Sequence, residues 1–314
     1  MIYINSTGSI TPQGRIENGH FVCVEPVYRE LINPIQLRRM SRILKMGLGA
    51  SAICINNLSD VKVDAIIVGT GMACIIDLEK FIASVINENE IMLSPIPFIN
   101  SSHNTVAAQI AMNHKITGYN NTYCHRGASF EAALLDAMLL LSEGGANHVL
   151  VGGIDEYSQY HHSLMSEEHK MSNIMLGEGS IFFILEQQQR KDSIELNAVH
   201  TFLEFDDFNT NFIKSEIVDF LNKQNLKMSD IDIFVSGKNG NSITDNIYDE
   251  LEKEFFQTSK IVYFKHLCGE YMTSTAFAIA MIANNLKLQK GKHILIYNHY
   301  NYINHSLILL TIEI

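Results

Sequence analysis

The sequence contains no tryptophan, only five prolines and only five cysteines among its 314 residues. The cysteines stand at irregular spacing, and no two of them form the C-x-x-C motif that would favour a zinc site or a redox centre. Free, buried thiols in a reducing compartment are the simplest interpretation. We therefore expect neither a metal ion nor any other cofactor.

Long apolar runs and an excess of positive charge are also absent. Asp, Glu, Asn or Lys interrupts each apolar stretch well before the roughly 20 residues that a membrane span needs. The N-terminal residues have no signal-peptide pattern, and the formal net charge is −11. These features argue against nucleic acid and membrane partners, and they predict a cytoplasmic protein.

One cluster of basic residues nevertheless interrupts the acidic composition, within eight residues of chain: Arg38, Arg39, Arg42 and Lys45. The cluster can be the solvated face of a helix. It can equally be a docking surface for an acidic partner, and the sequence leaves both interpretations open.

Short runs rich in β-branched residues alternate with helical periodicity along the chain, which predicts an α/β protein with buried strands. The predicted strands are Asp64–Val68, His148–Val151, Ser180–Leu185, Ile231–Val235, His293–Tyr297 and Ser306–Ile312. A polar stretch at residues 186–192 separates two α/β halves, so we place a boundary between residues 1–189 and 190–314, as two halves of one compact unit.

The clearest helix in the sequence is Ser129–Leu141. Apolar residues occupy nearly all of its sides, and only Glu131 and Asp136 carry charge. Such a pattern predicts a helix buried at the centre of the molecule.

Three segments resemble the β-ketoacyl synthases in their order and separation. They are residues 64–71 (DAIIVGTG), residues 118–156, which contain the buried helix and the strand that follows it, and residues 176–186 (LGEGSIFFILE). The resemblance implies the thiolase-like fold. In that fold, two similar α/β halves with mixed five-stranded sheets enclose central helices in a layered αβαβα arrangement.

The resemblance also locates the catalytic positions. A condensing synthase uses a cysteine thiolate at the N-terminus of the buried helix, and two histidines that drive decarboxylation. Aligned on Gly118 and on Ala137, the nucleophile position falls at Gly127 without a gap. Glycine has no side chain to acylate.

Both histidine positions are also replaced in this alignment. Ser236 stands at the first, and Glu270 at the second, where the family's preceding lysine is kept as Lys265. Serine cannot replace an imidazole, and a carboxylate would repel a malonyl carboxylate. The family's glycine-rich final loop corresponds to residues 298–305, which contain no glycine.

A synthase fold without its catalytic set resembles the chain length factors of bacterial polyketide and aryl polyene systems. The resemblance implies a non-catalytic partner that shapes the acyl tunnel in fatty acid, polyketide or aryl polyene synthesis. It also implies pairing with an active synthase subunit or with a second copy, through the strands and helices beside the nucleophile position, and contact with acyl carrier protein.

Two alternatives stay open at this point. One is an acyltransferase or condensing enzyme with a relocated nucleophile, either Cys124 beside His125 or Ser129. The other is a docking subunit that recruits carrier protein through Arg38, Arg39, Arg42 and Lys45.

Overall fold

The structure, a computed structural model, describes residues 1–88, 91, 93–168, 174–205, 209–242, 244–285 and 292–312. Its strands are β1 (Tyr3–Ile10), β2 (Ile16–Glu17), β3 (His20–Phe21), β4 (Ala65–Gly69), β5 (Asn120–Tyr123), β6 (Val149–Asp155), β7 (Gly179–Glu186), β8 (Ile194–Leu203), β9 (Ile231–Ser236), β10 (Lys260–Tyr263), β11 (Lys292–Tyr300) and β12 (Asn304–Ile312). Its α-helices are α1 (Pro34–Leu37), α2 (Arg42–Asn56), α3 (Ile75–Asn87), α4 (Pro95–Asn100), α5 (Thr105–His114), α6 (Ser129–Ser142), α7 (Gln159–Glu168), α8 (Thr210–Lys223), α9 (Asp245–Glu254), α10 (Lys265–Cys268) and α11 (Thr275–Asn284).

The main sheet repeats one topology twice. The first half has the strand order β5-β4-β6-β7-β1, and the second half has the order β10-β9-β11-β12-β8. In each half the first three strands are parallel, and the last two junctions are antiparallel. The halves join through a short β1–β8 ladder, Tyr3 with Glu195 and Ile4 with Ile194. We propose the division into residues 1–189 and 190–314 on this repeat.

Helices α6 and α11 form the central layer. Phe130 and Ala133 of α6 and Ile279 of α11 belong to one buried cluster with Ile67 of β4 and Ile294 of β11. Because this cluster draws on both halves of the sheet, the two halves share a single central core.

Two further clusters cover the outer faces of the sheet. Leu48 of α2 packs with Ile66 of β4 on the first half, while Ile217 of α8 and Leu251 of α9 pack with Phe234 of β9 on the second. Neighbouring residues of β4 thus enter different clusters, as side-chain alternation along a strand requires. The result is the predicted αβαβα layering.

Each of the six strands predicted from the sequence is present, and so is the central helix, which runs from Ser129 to Ser142. The prediction omitted β1, β5, β8 and β10 of the main sheet, and the two-residue strands β2 and β3. Of these, β5 (NNTY) and β10 (KIVY) are short and partly exposed, so they lack the apolar run by which buried strands are identified.

Candidate functional site

Gly127 is the buried residue of a 3-10 turn, Arg126–Ala128, which leads directly into α6. A Cβ atom added at Gly127 would overlap the Cβ of Tyr300 and lie 2.8 Å from its Cγ. Tyr300 is itself only 7% exposed. The tyrosine therefore occupies the space that the side chain of a nucleophile would need.

The β11–β12 hairpin holds Tyr300 in this place. Tyr300 pairs with Asn304 across the hairpin, and two residues of the connecting turn, Asn301 and Tyr302, have φ values of 55° and 62°. Left-handed backbone is uncommon for tyrosine. Tyr302 also stacks on His299, with ring centroids 5.9 Å apart. The glycine-free segment 298–305 is thus a packed hairpin that presses Tyr300 against the helix N-terminus.

The two alternative nucleophiles are engaged in hydrogen bonds that order the backbone. The Cys124 thiol donates to the carbonyl of Gly71 at 3.1 Å, and burial together with the nearby charge of Asp155 raises its pKa. The fully buried Ser129 hydroxyl donates to the Arg126 carbonyl at 2.6 Å and accepts from the His125 backbone N–H at 2.8 Å. A nucleophile needs a lowered pKa or an adjacent base, so this geometry favours neither residue.

Glu270 and Lys265 form a buried ion pair. Their Oε2 and Nζ atoms are 2.6 Å apart, and the two side chains are 2% and 1% exposed. The Asn239 side-chain amide also donates to Glu270 Oε2, at 2.8 Å. The other carboxylate oxygen, Oε1, has no partner within the part of the chain that the structure describes. Glu270, which the sequence predicts at the second histidine position, therefore neutralises the lysine charge.

Ser236 ends β9 and is directed to a different environment. Its hydroxyl donates to Glu252 Oε1 at 2.9 Å, and it does not line the cavity that contains Glu270. Asp245 accepts the backbone N–H groups of Asn239, at 3.1 Å, and of Gly240, at 3.0 Å. Asp245 is thus a turn-forming residue of the loop after β9. The structure brings Gly127, Lys265 and Glu270 close to one cavity but leaves Ser236 outside it.

That cavity has a volume of about 60 Å³, and Glu270, Tyr271, Met272 and Tyr300 contribute to its walls. Pockets that bind small molecules usually span roughly 300–1,000 Å³. The remaining space can hold a few water molecules but no acyl chain. The side chain of Tyr300 separates the cavity from Gly127.

Asp155, at the end of β6, connects the two halves beneath the cavity. Its Oδ1 atom accepts from the Thr70 hydroxyl at 3.2 Å and the Gly71 N–H at 2.7 Å, while Oδ2 accepts from the Thr273 N–H and hydroxyl at 2.9 and 2.8 Å. Burial raises the pKa of this carboxyl despite these donors. Because Thr70 and Gly71 belong to the first half and Thr273 to the second, the carboxyl fixes their relative position.

Comparison with known proteins gives the family. Residues 18–200, more than half of the chain, match the family model of the β-ketoacyl synthase N-terminal domain. The chain belongs to the β-ketoacyl synthase family. No curated protein matches it by sequence.

Solved structures agree with this assignment. The ishigamide ketosynthase/chain length factor matches with a TM-score of 0.88 at 17% identity, covering 99% of this chain and 99% of the other. A ketosynthase (ApeO) in complex with its chain length factor (ApeC), from Xenorhabdus doucetiae, gives a TM-score of 0.82 at 12% identity, covering 99% and 98%. A β-ketoacyl synthase from Burkholderia phymatum gives 0.74 at 12% identity, also covering 99% and 98%. The predicted thiolase-like fold is confirmed.

In this β-ketoacyl synthase fold, none of the described helices combines the length and the apolarity needed to cross a membrane. The cytoplasmic location stays a prediction.

The four residues of the predicted basic patch do not form one continuous surface. Arg42 binds the buried Glu178 through two hydrogen bonds of 2.5 Å, and it also pairs with Glu25 at 2.5 Å. Burial alone would raise the pKa of Glu178, but the guanidinium outweighs burial and lowers it. Lys45 is half-buried on α2, whereas Arg38 and Arg39 are exposed. Arg42 is therefore a structural residue, and a docking surface at this patch depends on the other two arginines.

We expect Arg42→Ala to lower the free energy of unfolding by about 1–2 kcal/mol, because it leaves the Glu178 carboxylate unpaired. The value allows for the partial exposure of the pair. Arg39→Ala, the matched control, should change it by less than about 0.5 kcal/mol. Urea unfolding measures both variants, and equal effects would contradict the structural role of Arg42.

Glu156 is another buried carboxyl that the sequence analysis did not identify. Its Oε1 atom accepts the N–H of Ile76 in the first turn of α3, at 3.1 Å. Burial, with a further contribution from the neighbouring Asp77, raises the pKa of Glu156 to about 8. The carboxyl therefore stays protonated in the folded protein at neutral pH.

This shift predicts a pH dependence of stability. The pKa of Glu156 is higher in the folded than in the unfolded protein. Its contribution to the free energy of unfolding is therefore complete below the unfolded pKa, near 4.5, and is lost as pH rises toward 8. Between pH 6 and 9 the wild type should lose roughly 2–3 kcal/mol that Glu156→Gln does not lose. Thermal unfolding at the two pH values measures the stability of both proteins. Equal losses of stability in the wild type and in Glu156→Gln would show that Glu156 does not cause the pH dependence.

Sequence reasoning pointed to Gly127 and Glu270, whose assignment to catalytic positions stays a prediction, but not to Tyr300, Asp155 or Glu156. Of these, Asp155 and Glu156 could have been found from the sequence, because two adjacent acids at the end of a buried strand are candidates for a functional site there. Nothing in the sequence marks Tyr300, since only the folded hairpin places it against Gly127.

Proposed function

We propose that this chain is a non-catalytic, chain length factor-like partner of an active β-ketoacyl-acyl carrier protein synthase. The observation that carries the proposal is the packing of Tyr300 on Gly127. The nucleophile position has no side chain, and the space in front of it is filled. A partner that only shapes a neighbouring tunnel keeps the fold without needing this space.

The replaced histidine positions support the same proposal. Glu270 is neutralised by Lys265, and Ser236 bonds to Glu252, so neither side chain offers the imidazole that decarboxylation requires. Two of the similar structures are a ketosynthase/chain length factor and a ketosynthase in complex with its chain length factor. We propose bacterial polyketide, aryl polyene or fatty acid synthesis as the setting.

The edge of the first half fits the partner role. Strand β5 ends the sheet and pairs only with β4 among the described strands. Met112 of α5, 73% exposed, and Leu139 of α6, 56% exposed, are apolar side chains of the helices that pack on β5. An unpaired strand flanked by exposed apolar residues is a ready site for pairing with another chain.

We expect the chain to co-purify with the synthase encoded beside it, and the mixture, not this chain alone, to elongate acyl carrier protein substrates. Leu139→Glu should weaken the association at least ~10-fold, because it places a charge in the desolvated contact. Leu203→Glu, an equally exposed leucine at the end of β8, is the control. Elongation by the isolated chain at a normal rate would overturn the proposal.

A docking role toward acyl carrier protein is the second candidate. It rests on Arg38 and Arg39, which are exposed and have no ion-pair partner among the described residues.

A relocated nucleophile at Cys124 or Ser129 has no such support from the geometry. Incubation with an acyl thioester followed by mass spectrometry tests it, and we expect no adduct at either residue.

A further inference from the structure

A second cleft lies next to the cavity that Glu270 and Tyr300 line, shares Glu156 with it, and runs between the α1–α2 connection and the first turn of α3. Its volume is about 380 Å³, and three of the basic side chains that line it are Arg38, Arg39 and Lys80. Within the described part of the chain, none of these three has an acidic partner. Arg42 also lines the cleft, but Glu25 and Glu178 neutralise it. The cleft therefore holds uncompensated positive charge.

The N-termini of two helices add to this field. Ser41, the N-cap of the 15-residue helix α2, lines the cleft, and its side chain makes no capping hydrogen bond. Ile76, in the first turn of the 13-residue helix α3, also lines it. The Ile76 N–H already donates to Glu156, but the dipole of each helix still favours an anion at its N-terminus.

One wall of the cleft carries an acceptor and requires a hydrogen-bond donor. Asp77 is only 6% exposed, and its Oδ2 atom has no hydrogen-bond partner among the described residues. A buried carboxylate oxygen without a donor costs about 1–3 kcal/mol, and a bound hydroxyl or amide group would remove that cost.

We propose that this cleft binds a small phosphate ester that also carries a hydroxyl or amide donor. The phosphate would lie among Arg38, Arg39 and Lys80, and the donor would satisfy Asp77 Oδ2. Inorganic phosphate meets only the first requirement, and a neutral polyol meets only the second. The inference does not depend on the partner role, because the cleft and its residues belong to this chain alone.

Isothermal titration of the full chain with three probes tests the inference. Glycerol 3-phosphate should bind at least ~10-fold more tightly than inorganic phosphate, and glycerol alone should not bind measurably. Arg38→Ala/Arg39→Ala should weaken glycerol 3-phosphate binding at least ~10-fold, whereas Arg29→Ala, an exposed arginine outside the cleft, should leave it unchanged. Equal affinity for the two phosphates, or no effect of the double variant, overturns the proposal.

Asp77→Ala provides the second arm. It should abolish the preference for glycerol 3-phosphate over inorganic phosphate while leaving phosphate binding in place, and a retained preference would contradict the role of Asp77. If this variant does not fold, the affinities of the wild type for glycerol 3-phosphate and for inorganic phosphate still test the proposal. A phosphoserine peptide distinguishes the source of the ester: binding as tight as glycerol 3-phosphate assigns it to another protein, and weaker binding assigns it to a free metabolite.

Discussion

Lys265→Met should be the most destabilising of the substitutions considered, with a loss of about 3–5 kcal/mol in the free energy of unfolding. The reason is the environment of Glu270. Both partners of the pair are almost completely buried, and the second oxygen of Glu270 already lacks a partner. Removing the ammonium leaves a buried carboxylate with only the amide of Asn239 as a donor. Urea unfolding at pH 7 gives the measurement.

The control for this prediction removes the carboxylate as well. Lys265→Met/Glu270→Leu replaces the pair by apolar side chains of similar volume, which is often neutral or stabilising for a buried pair. The double variant should therefore recover most of the loss. If it is as unstable as the single variant, lysine packing and not its charge is what stabilises the site.

Gly127→Cys should not create an acylatable synthase, and it should destabilise the protein by roughly 3 kcal/mol, the upper end of the overpacking range. The new Cβ would overlap the Cβ of Tyr300, which the β11–β12 hairpin holds in place. A backbone-proximal atom cannot rotate away as the end of a long side chain can. Chemical denaturation measures the stability, and mass spectrometry after exposure to an acyl thioester measures the adduct.

Tyr300→Gly, which removes the Cβ atom as well as the ring, supplies the background that isolates this clash. In that background, Gly127→Ala should cost less by at least about 1 kcal/mol than it does in the wild type. Purely additive effects of the two substitutions would mean that Tyr300 does not occupy the nucleophile space. A stable Gly127→Cys protein that accepts an acyl group would contradict both the packing and the proposed function.

The elements predicted well from the sequence are those whose environment is uniform. Strands β4, β6 and β7 are buried on both faces, so their residues form continuous apolar runs. Strand β8 was omitted because its burial changes along its length, and β5 because a partly exposed edge strand needs few apolar residues. Burial on both faces produces a readable pattern, and mixed exposure does not.

The basic cluster shows a different limit of sequence reasoning. Arg38, Arg39 and Arg42 are equivalent as sequence, yet one binds a buried carboxylate and two face solvent. Glu178 lies 136 residues away from Arg42 along the chain, so no local pattern predicts their contact. Lys80 lies closer to Arg38 along the chain than Glu178 does to Arg42, but again only the fold places the two residues on one cleft.

The sequence by itself, aligned on neighbouring anchors, predicted that the nucleophile position falls at Gly127, which has no side chain, and that a carboxylate, Glu270, stands at the second histidine position. Only the tertiary structure decided what these replacements do. Tyr300 fills the space in front of Gly127, and Lys265 neutralises Glu270. Both outcomes depend on contacts between segments brought together by packing of the central layer. Residue identity is local, whereas occupied volume and compensated charge are properties of the folded core.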